Sequence, residues 1–277
     1  MTPRHAPWEE GHDFGIGLSP ITEADWLEGG EADPALRKDA LLAAHPDIVW
    51  GETPGSTPGQ REAAELVARA LGVEIPADGR PPLYAASRRV ADDLVLMEKT
   101  GGAWRVTAVS LSAPTFFTVK DALGRDLAEL HGPVDGFANR FLGRVTRIFD
   151  GLRPDLILER RNWTIVNSDQ TFTPHSAEVR ARVTEIDPAE AGTALFLRVE
   201  RQTLRRLPRT GGALFTIRVW LTPLAAVAES PERLQRFARA WRGATEDFRK
   251  YKGFALYESL VEAFLRAGGE TDSVNGT

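Results

Sequence analysis

Near Asp92 the apolar residues of this chain change their spacing, and that change sets the fold class. Before it, Ala63, Leu66, Val67, Ala70 and Leu71 recur every three to four residues in "STPGQREAAELVARALGV", the period of a helix buried along one face. Ser56 or Thr57 is placed to cap that helix, Pro58 suits its first turn, and Gly72 its end. "TEADWLEGG", with Thr22 as its cap, and "PALRKDALLAAH" predict two shorter helices. After Asp92 the apolar period falls to two. "DDLVLMEK" and "AWRVTAVSLS" flank Thr100-Gly101-Gly102 as a hairpin, and "DLILERRNWTIVNSD" reads as a long strand. "TALFLRVERQTLRRLPRTGGALFTIRVWLTPL" is a second hairpin, turning at Pro208 to Gly212. Between the first hairpin and the long strand lies a mixed stretch with a helix expected from about Phe137 to Phe149. Its apolar stripe is Phe137, Phe141, Val145, Ile148 and Phe149. Two helices close the chain: "SPERLQRFARAWRGATEDFRKYK", capped by Ser230 with Pro231 behind it, and "LYESLVEAFLRAGG".

Two strands, a helical crossover and three strands define an α+β chain. The order matches the PAS pattern, a five-stranded antiparallel sheet whose crossover helices close a pocket, although other α+β domains share it. The sheet is expected between about Ala91 and Leu224, wrapped by the N- and C-terminal helices. The Pro/Gly-rich Ile75–Pro82 reads as a hinge. The expected division is a helical segment over residues 1–80, the sheet domain over 81–225 and the closing helices over 226–277, packed as one compact unit.

What the 277 residues lack narrows the chemistry. There is no cysteine, which rules out a thiolate nucleophile, a cysteine-bound iron–sulfur cluster, a thiolate-ligated haem and a Cys-type zinc site. The five histidines, His5, His12, His45, His131 and His175, form no H-x-H or H-E-x-x-H pair. A cofactor that needs a single protein ligand remains easy to hold. A net charge of −5 gives no basic footprint for nucleic acid. The start lacks the apolar run of a signal peptide and no later stretch is long enough to span a membrane, so a cytoplasmic protein without nucleic-acid or membrane partners is expected.

"VADDLVLM", "LHGPVDGF", "RNWTIVNSD" and "ERQTLRRLPRTGGALFTIRVW", in this order and spacing, resemble the haem-binding subunit of haem-dependent oxidative N-demethylases. The likeness runs from about Val90 to Leu224, weaker over the N-terminal helices and at Tyr251-Lys252-Gly253. The R-Q-T-L-x-R-L-P string, Arg201 to Pro208, is its most specific element. The resemblance implies a PAS-like domain that holds haem b. It implies a monooxygenase that uses O2 and electrons to oxidise a methyl group on an amine, releasing formaldehyde. It also implies a separate flavin and iron–sulfur reductase, which suits a chain unable to carry a cluster; homo-oligomerisation stays open. The motif departs from the family pattern around His131-Gly132-Pro133-Val134-Asp135-Gly136-Phe137, and a tryptophan expected after Pro114 appears as Phe116 or Phe117. These departures leave the amine, small or larger, unassigned.

On the residues alone His131 is a turn residue before Gly132-Pro133. The resemblance makes it the axial ligand of the haem iron, with Phe137 beside it at the cofactor. Arg160, Arg161, Arg201, Arg205 and Arg206 lie on two strands able to pair, and any of them could meet propionates. Arg161 and Arg201 lie inside the specific motifs and are the preferred cofactor-binding pair. Arg140, Arg144 and Arg147 read as a solvated helix face. Asn162 and Trp163 are the catalytic-pocket residues implied by the family, although a strand tryptophan is more often core. Glu200, a carboxylate in an apolar strand, either attracts an ammonium or bridges to an arginine. Two further readings stand beside the oxygenase: a non-enzymatic haem- or ligand-binding PAS sensor, and an accessory subunit without haem.

Overall fold

The structure, a computed structural model, describes residues 4–9, 17–131 and 142–269, with the backbone alone for His131. One antiparallel sheet organises them. In chain order its strands are β1 (Ser19–Ile21), β2 (Trp50–Glu52), β3 (Asp93–Thr100), β4 (Ala103–Ser110), β5 (Ile157–Val166), β6 (Phe196–Arg206) and β7 (Ala213–Pro223), arranged β1-β5-β6-β7-β3-β4-β2. The chain is thus α+β. The expected count of five strands is corrected to seven, because β1 pairs with Ile157–Glu159 and β2 with Ala108–Ser110. Strands of three residues carry no readable period, yet they cover backbone that would otherwise lie open at the sheet edges.

The hairpins follow their turn chemistry. Gly101 and Gly102 both have positive φ, 59° and 82°, the geometry that matches the twist of paired strands in a two-residue turn. β6 and β7 pair over eleven residues each, from Phe196↔Pro223 to Arg206↔Ala213. Their turn closes with Leu207 N donating to Gly212 O at 2.8 Å.

Alternation along these strands divides the sheet into two faces. One face carries two apolar patches. Trp163, Ile165, Leu197 and Val199 meet helix Pro231–Arg242, helix Glu246–Lys252, the short helical turn Phe254–Leu256 and helix Glu258–Ala267 through Phe237, Trp241, Phe248, Phe254 and Leu260. Leu94, Leu96, Ile157 and Leu214 meet helix Thr57–Leu71 through Ala63, Leu66 and Val67. Each fully buried Leu, Ile or Phe here contributes about 1.5–3 kcal/mol. Between the patches runs a belt of charge: Arg201 donates to Trp26 O at 2.7 Å and to Glu159, and Arg205 lies 4.4 Å over the Trp26 ring. The opposite face carries the crossover between β4 and β5.

Three expectations need adjustment. "TEADWLEGG" forms turns, with Thr22 Oγ1 donating to Asp25 Oδ2 at 2.6 Å; Trp26 is buried there and donates to Thr203 Oγ1 at 2.9 Å, which holds the segment to the sheet. The first closing helix divides at Gly243 into Pro231–Arg242 and Glu246–Lys252, the second capped by Thr245. The crossover helix is described over Gly143–Gly151; Phe137 and Phe141 lie outside the described residues. Among the described residues no helix is long and apolar enough to cross a membrane.

Candidate functional site

The crossover packs on the sheet face that carries Val95, Met97, Val106, Leu204 and Phe215. Helix Leu127–His131 brings Leu127 and Leu130 to that layer, and helix Gly143–Gly151 brings Val145, Ile148 and Phe149. The first of these helices starts on a reciprocal cap. Asp126 Oδ1 accepts from the Ala128 and Glu129 amides at 3.0 Å each, and Glu129 Oε2 accepts from Asp126 N at 2.8 Å. This helix is described as far as His131, and residues 132–141 lie outside the described residues. The His131 side chain lies outside the described residues.

Beside this apolar layer the same face turns polar. Asn162 on β5 and Glu200 on β6 are direct cross-strand partners. Around them stand Arg160 of β5, Arg198 of β6, Thr115 at the start of the crossover, and Tyr251 and Lys252 at the end of helix Glu246–Lys252. Glu200 accepts from Thr115 Oγ1 at 3.0 Å and from Gln202 Nε2 at 3.1 Å, and lies 3.5 Å from Arg198. Lys252 Nζ donates to Asn162 Oδ1 at 2.5 Å. Arg198 donates to Ala113 O at 2.7 Å, which fixes the crossover's first residues over the strand.

Glu200 keeps 20% of its side-chain surface accessible, Arg160, Asn162 and Lys252 are half-buried, and Tyr251 is exposed. The polar cluster on this face is thus partly open to solvent. Burial pushes the Glu200 carboxyl up, but Arg198, Lys252 and the Thr115 and Asn162 hydrogen bonds outweigh it and hold it below the usual range. Burial pushes the Lys252 amine down to about 7 against the pull of Glu200, and Arg160 assists that fall. Burial also lowers Arg160 below the usual guanidinium range. Next to Thr115 the backbone is strained: Phe116 has φ of 60°, a left-handed conformation that costs an aromatic residue on the order of 1–3 kcal/mol. Phe116 N donates to Thr173 O at 2.7 Å and Arg180 lies 5.1 Å over its ring, so the segment that aims Thr115 at Glu200 is held on both sides.

The sequence-derived residues separate by face. Asn162 and Glu200 come together as cross-strand partners in the polar cluster. Trp163, Arg161 and Arg201 point to the other face. Trp163 is buried among Trp8, Phe237, Phe248 and Phe254, with ring centroids 5.2–6.2 Å away. Arg161 and Arg201 both contact Glu159, and Arg201 also lies 3.5 Å from Glu28. There they line a cavity of about 450 Å³ with Arg4, Glu28 and Glu159. The Phe137 side chain, like that of His131, lies outside the described residues. Sequence reasoning passed over Thr115, Arg198 and Lys252. Alternation in "FLRVER" places Arg198 and Glu200 on one side; Lys252 lies in the weaker Tyr251–Gly253 stretch of the resemblance, which gave it no role, and it reaches Asn162 from 90 residues away.

A family model described as haem-dependent oxidative N-demethylase, alpha subunit-like, matches residues 65–262. The match takes in both hairpins, the crossover, all of β5–β7 and most of the closing helices. The chain belongs to this family.

Proposed function

We propose that the chain is the haem-binding, oxygen-using subunit of an oxidative N-demethylase, with a PAS-like core formed by β3–β7. The order β5-β6-β7-β3-β4, with the crossover on one face, supports that core. The observation that carries the reading is convergence: helix Leu127–His131 packs on the same sheet face that holds the Asn162–Glu200 pair. His131 would hold the iron of a haem b, and the apolar side chains of the crossover layer would flank the ring. When bound, the haem supplies activation of O2, and an N-methyl amine, O2, two electrons and two protons give the demethylated amine, formaldehyde and water.

The chain's own residues do the positioning. Leu127, Leu130, Val145 and Ile148 exclude water from the layer beneath the crossover. Glu200, ionised and fixed by Thr115 and Gln202, orients the polar end of the substrate or a water beside it. Asn162 presents its Oδ1 to Lys252 and holds that amine against β5. Trp163 keeps β5 seated on the closing helices. Arg161 and Arg201 tie β5 to β6 and to the segment around Asp25.

The test is an absorption spectrum. Purified wild-type protein should show a Soret band, and His131→Ala should lose haem at least tenfold more readily while its circular dichroism is unchanged. Added imidazole should restore part of the band. Amines that are substrates should shift the wild-type spectrum and, with a reductase, drive O2 consumption. A His131→Ala spectrum identical to wild type would place the axial ligand elsewhere.

A further inference from the structure

At the start of the crossover, two consecutive residues have all four of their backbone groups held by charged side chains. Asp93 Oδ1 accepts from Ser112 N at 2.5 Å and from Ser112 Oγ at 2.7 Å, and Asp93 Oδ2 accepts from Ala113 N at 3.1 Å. Arg37 donates to Ser112 O at 2.9 Å, and Arg198 donates to Ala113 O at 2.7 Å. These side chains come from helix Pro34–Ala44, β3 and β6. Asp93 and Arg198 are each 1% exposed, and Ser112 is fully buried. The path of the chain is thus set from outside it, by hydrogen bonds of the stronger, charge-assisted kind. The next residue, Pro114, has no N–H to hold, so the last amides available before Thr115 are the two that Asp93 takes. Beyond them the chain is strained and aimed. Pro114 O accepts from Thr173 N and Thr173 Oγ1, each at 3.1 Å, and Phe116 N donates to Thr173 O at 2.7 Å. Between these fixed points Thr115 Oγ1 donates to Glu200 at 3.0 Å, and Phe116 has φ of 60°. An aromatic residue keeps that left-handed backbone where its surroundings over-determine it.

We propose that Asp93 is a positioning residue: by holding the Ser112 and Ala113 amides it sets the path that delivers Thr115 Oγ1 to Glu200. Asp93 lies on β3 and Glu200 on β6, with β7 between them in the sheet. It therefore reaches the carboxylate through the crossover and not by contact. Arg198 backs it from the other side, since the guanidinium that takes Ala113 O also lies 3.5 Å from Glu200. The aiming of Thr115 stands on these contacts; its consequence for an amine rests on the function proposed above.

The test is a carbon-13 NMR titration of the Glu200 carboxyl in haem-free protein labelled at glutamate, the signal assigned by its loss in Glu200→Gln. Thr115→Val removes the hydroxyl and should raise the titration midpoint by about half a pH unit or more, the effect of one lost hydrogen bond to a charged group. Asp93→Asn keeps the shape of the side chain but turns an N–H donor toward an amide that needs an acceptor. It should raise the midpoint by a similar amount. The double variant should rise no further than Thr115→Val alone, because both changes act through one hydroxyl. Glu62→Gln, altered at the β6–β7 turn, should leave the midpoint in place, which separates aim from stability. An unmoved midpoint in Asp93→Asn, or a full further rise in the double variant, overturns the proposal. Should Asp93→Asn not fold, Ser112→Ala carries the test, since it removes one of the three bonds to Asp93. A smaller rise in the same direction supports the proposal, and no rise overturns it. With haem bound, the amine concentration that half-shifts the Soret band should increase severalfold in Thr115→Val and Asp93→Asn alike. A raised Glu200 midpoint with an unchanged amine response would uphold Asp93 and refute the role proposed for Glu200 instead.

Discussion

Lys252 shows how one residue ties the outer helices to the sheet. Its amine is pressed between Asn162 Oδ1, 2.5 Å away, and the rings of Tyr251 and Phe248 at 4.7 and 5.7 Å. Burial brings it to about 7 in the folded state, whereas the unfolded chain keeps its proton to about 10.4. Between those values the unfolded state binds one more proton than the folded state. Stability therefore rises with pH across that window, and the full cost of the buried charge is felt below about 7. Lys252→Met removes this dependence. In urea titrations from pH 6.5 to 9.5, the wild-type-minus-variant difference in unfolding free energy should climb by up to about 1.4 kcal/mol per pH unit above 7. Lys38, buried and lowered to about 8, contributes to both proteins and cancels. Parallel wild-type and variant curves would show that Lys252 keeps an ordinary affinity for its proton. Its role was not legible in the sequence: Tyr251-Lys252-Gly253 shares only weakly in the resemblance, a lysine in "EDFRKYK" looks like any solvated helix face, and only the fold brings it to β5. Asn162 and Glu200 were legible because they lie on adjacent strands of the resembling motifs. The separation of Trp163, Arg161 and Arg201 from them follows from simple alternation, since neighbours along a strand point apart.

Among elements, helix Thr57–Leu71 and the β6–β7 turn are joined by one carboxylate. Glu62, 2% exposed, accepts from Arg209 N at 2.6 Å, Thr210 N at 2.7 Å and Thr210 Oγ1 at 2.7 Å. Burial pushes Glu62 up, but these bonds outweigh it and hold it below the usual range. Its contribution is thus present at neutral pH and is lost as pH falls through its folded value. Glu62→Ala should destabilise the chain by about 2–3 kcal/mol at pH 7, and Glu62→Gln by less. In thermal melts the gap between wild type and Glu62→Gln should narrow below about pH 4. A gap independent of pH would mean that shape, not charge, joins the two elements. The same corner explains why Arg201 to Pro208 is so specific a string. Arg201 grips Trp26 O, Thr203 accepts from the Trp26 indole, Arg205 covers that ring and Leu207 is fully buried. The signature read from the sequence is largely an architectural lock. Period-two spacing made β3–β7 legible, and Ser230-Pro231 marked a helix start that the structure keeps, with Ser230 Oγ accepting from Arg233 N at 3.2 Å. The break at Gly243 was hidden because Phe237, Trp241 and Phe248 stay in helical phase across it, and all three face Trp163 or its neighbours.

For the whole molecule, the question is where two electrons enter. All six pairings among the named strands are antiparallel. Dinucleotides bind at the carboxyl ends of parallel strands, on a glycine-rich turn leading into a helix, and this sheet offers no such crevice. With no cysteine in 277 residues, the chain also cannot hold a thiolate-bound cluster to relay electrons one at a time. If the chain is the oxygenase proposed above, it would depend on a second protein that carries both the nicotinamide-oxidising and the one-electron steps. The haem-loaded chain should therefore make no sustained formaldehyde from NADPH and an N-methyl substrate. Reduced to the ferrous state, freed of excess dithionite and then mixed with O2 and substrate, it holds one of the two electrons that each formaldehyde requires and should make at most one formaldehyde per two haems. Adding a flavin and iron–sulfur reductase should convert that single event into continuous turnover, with O2 consumed and formaldehyde formed in equal amounts. Because the association would be between folded partners, turnover should saturate with reductase concentration. It should also change with ionic strength if charge steers the encounter, as a net charge of −5 allows. Continuous NADPH-driven formaldehyde from the isolated chain would mean that it carries its own electron entry, and the division of labour argued from its sheet and its composition would fall.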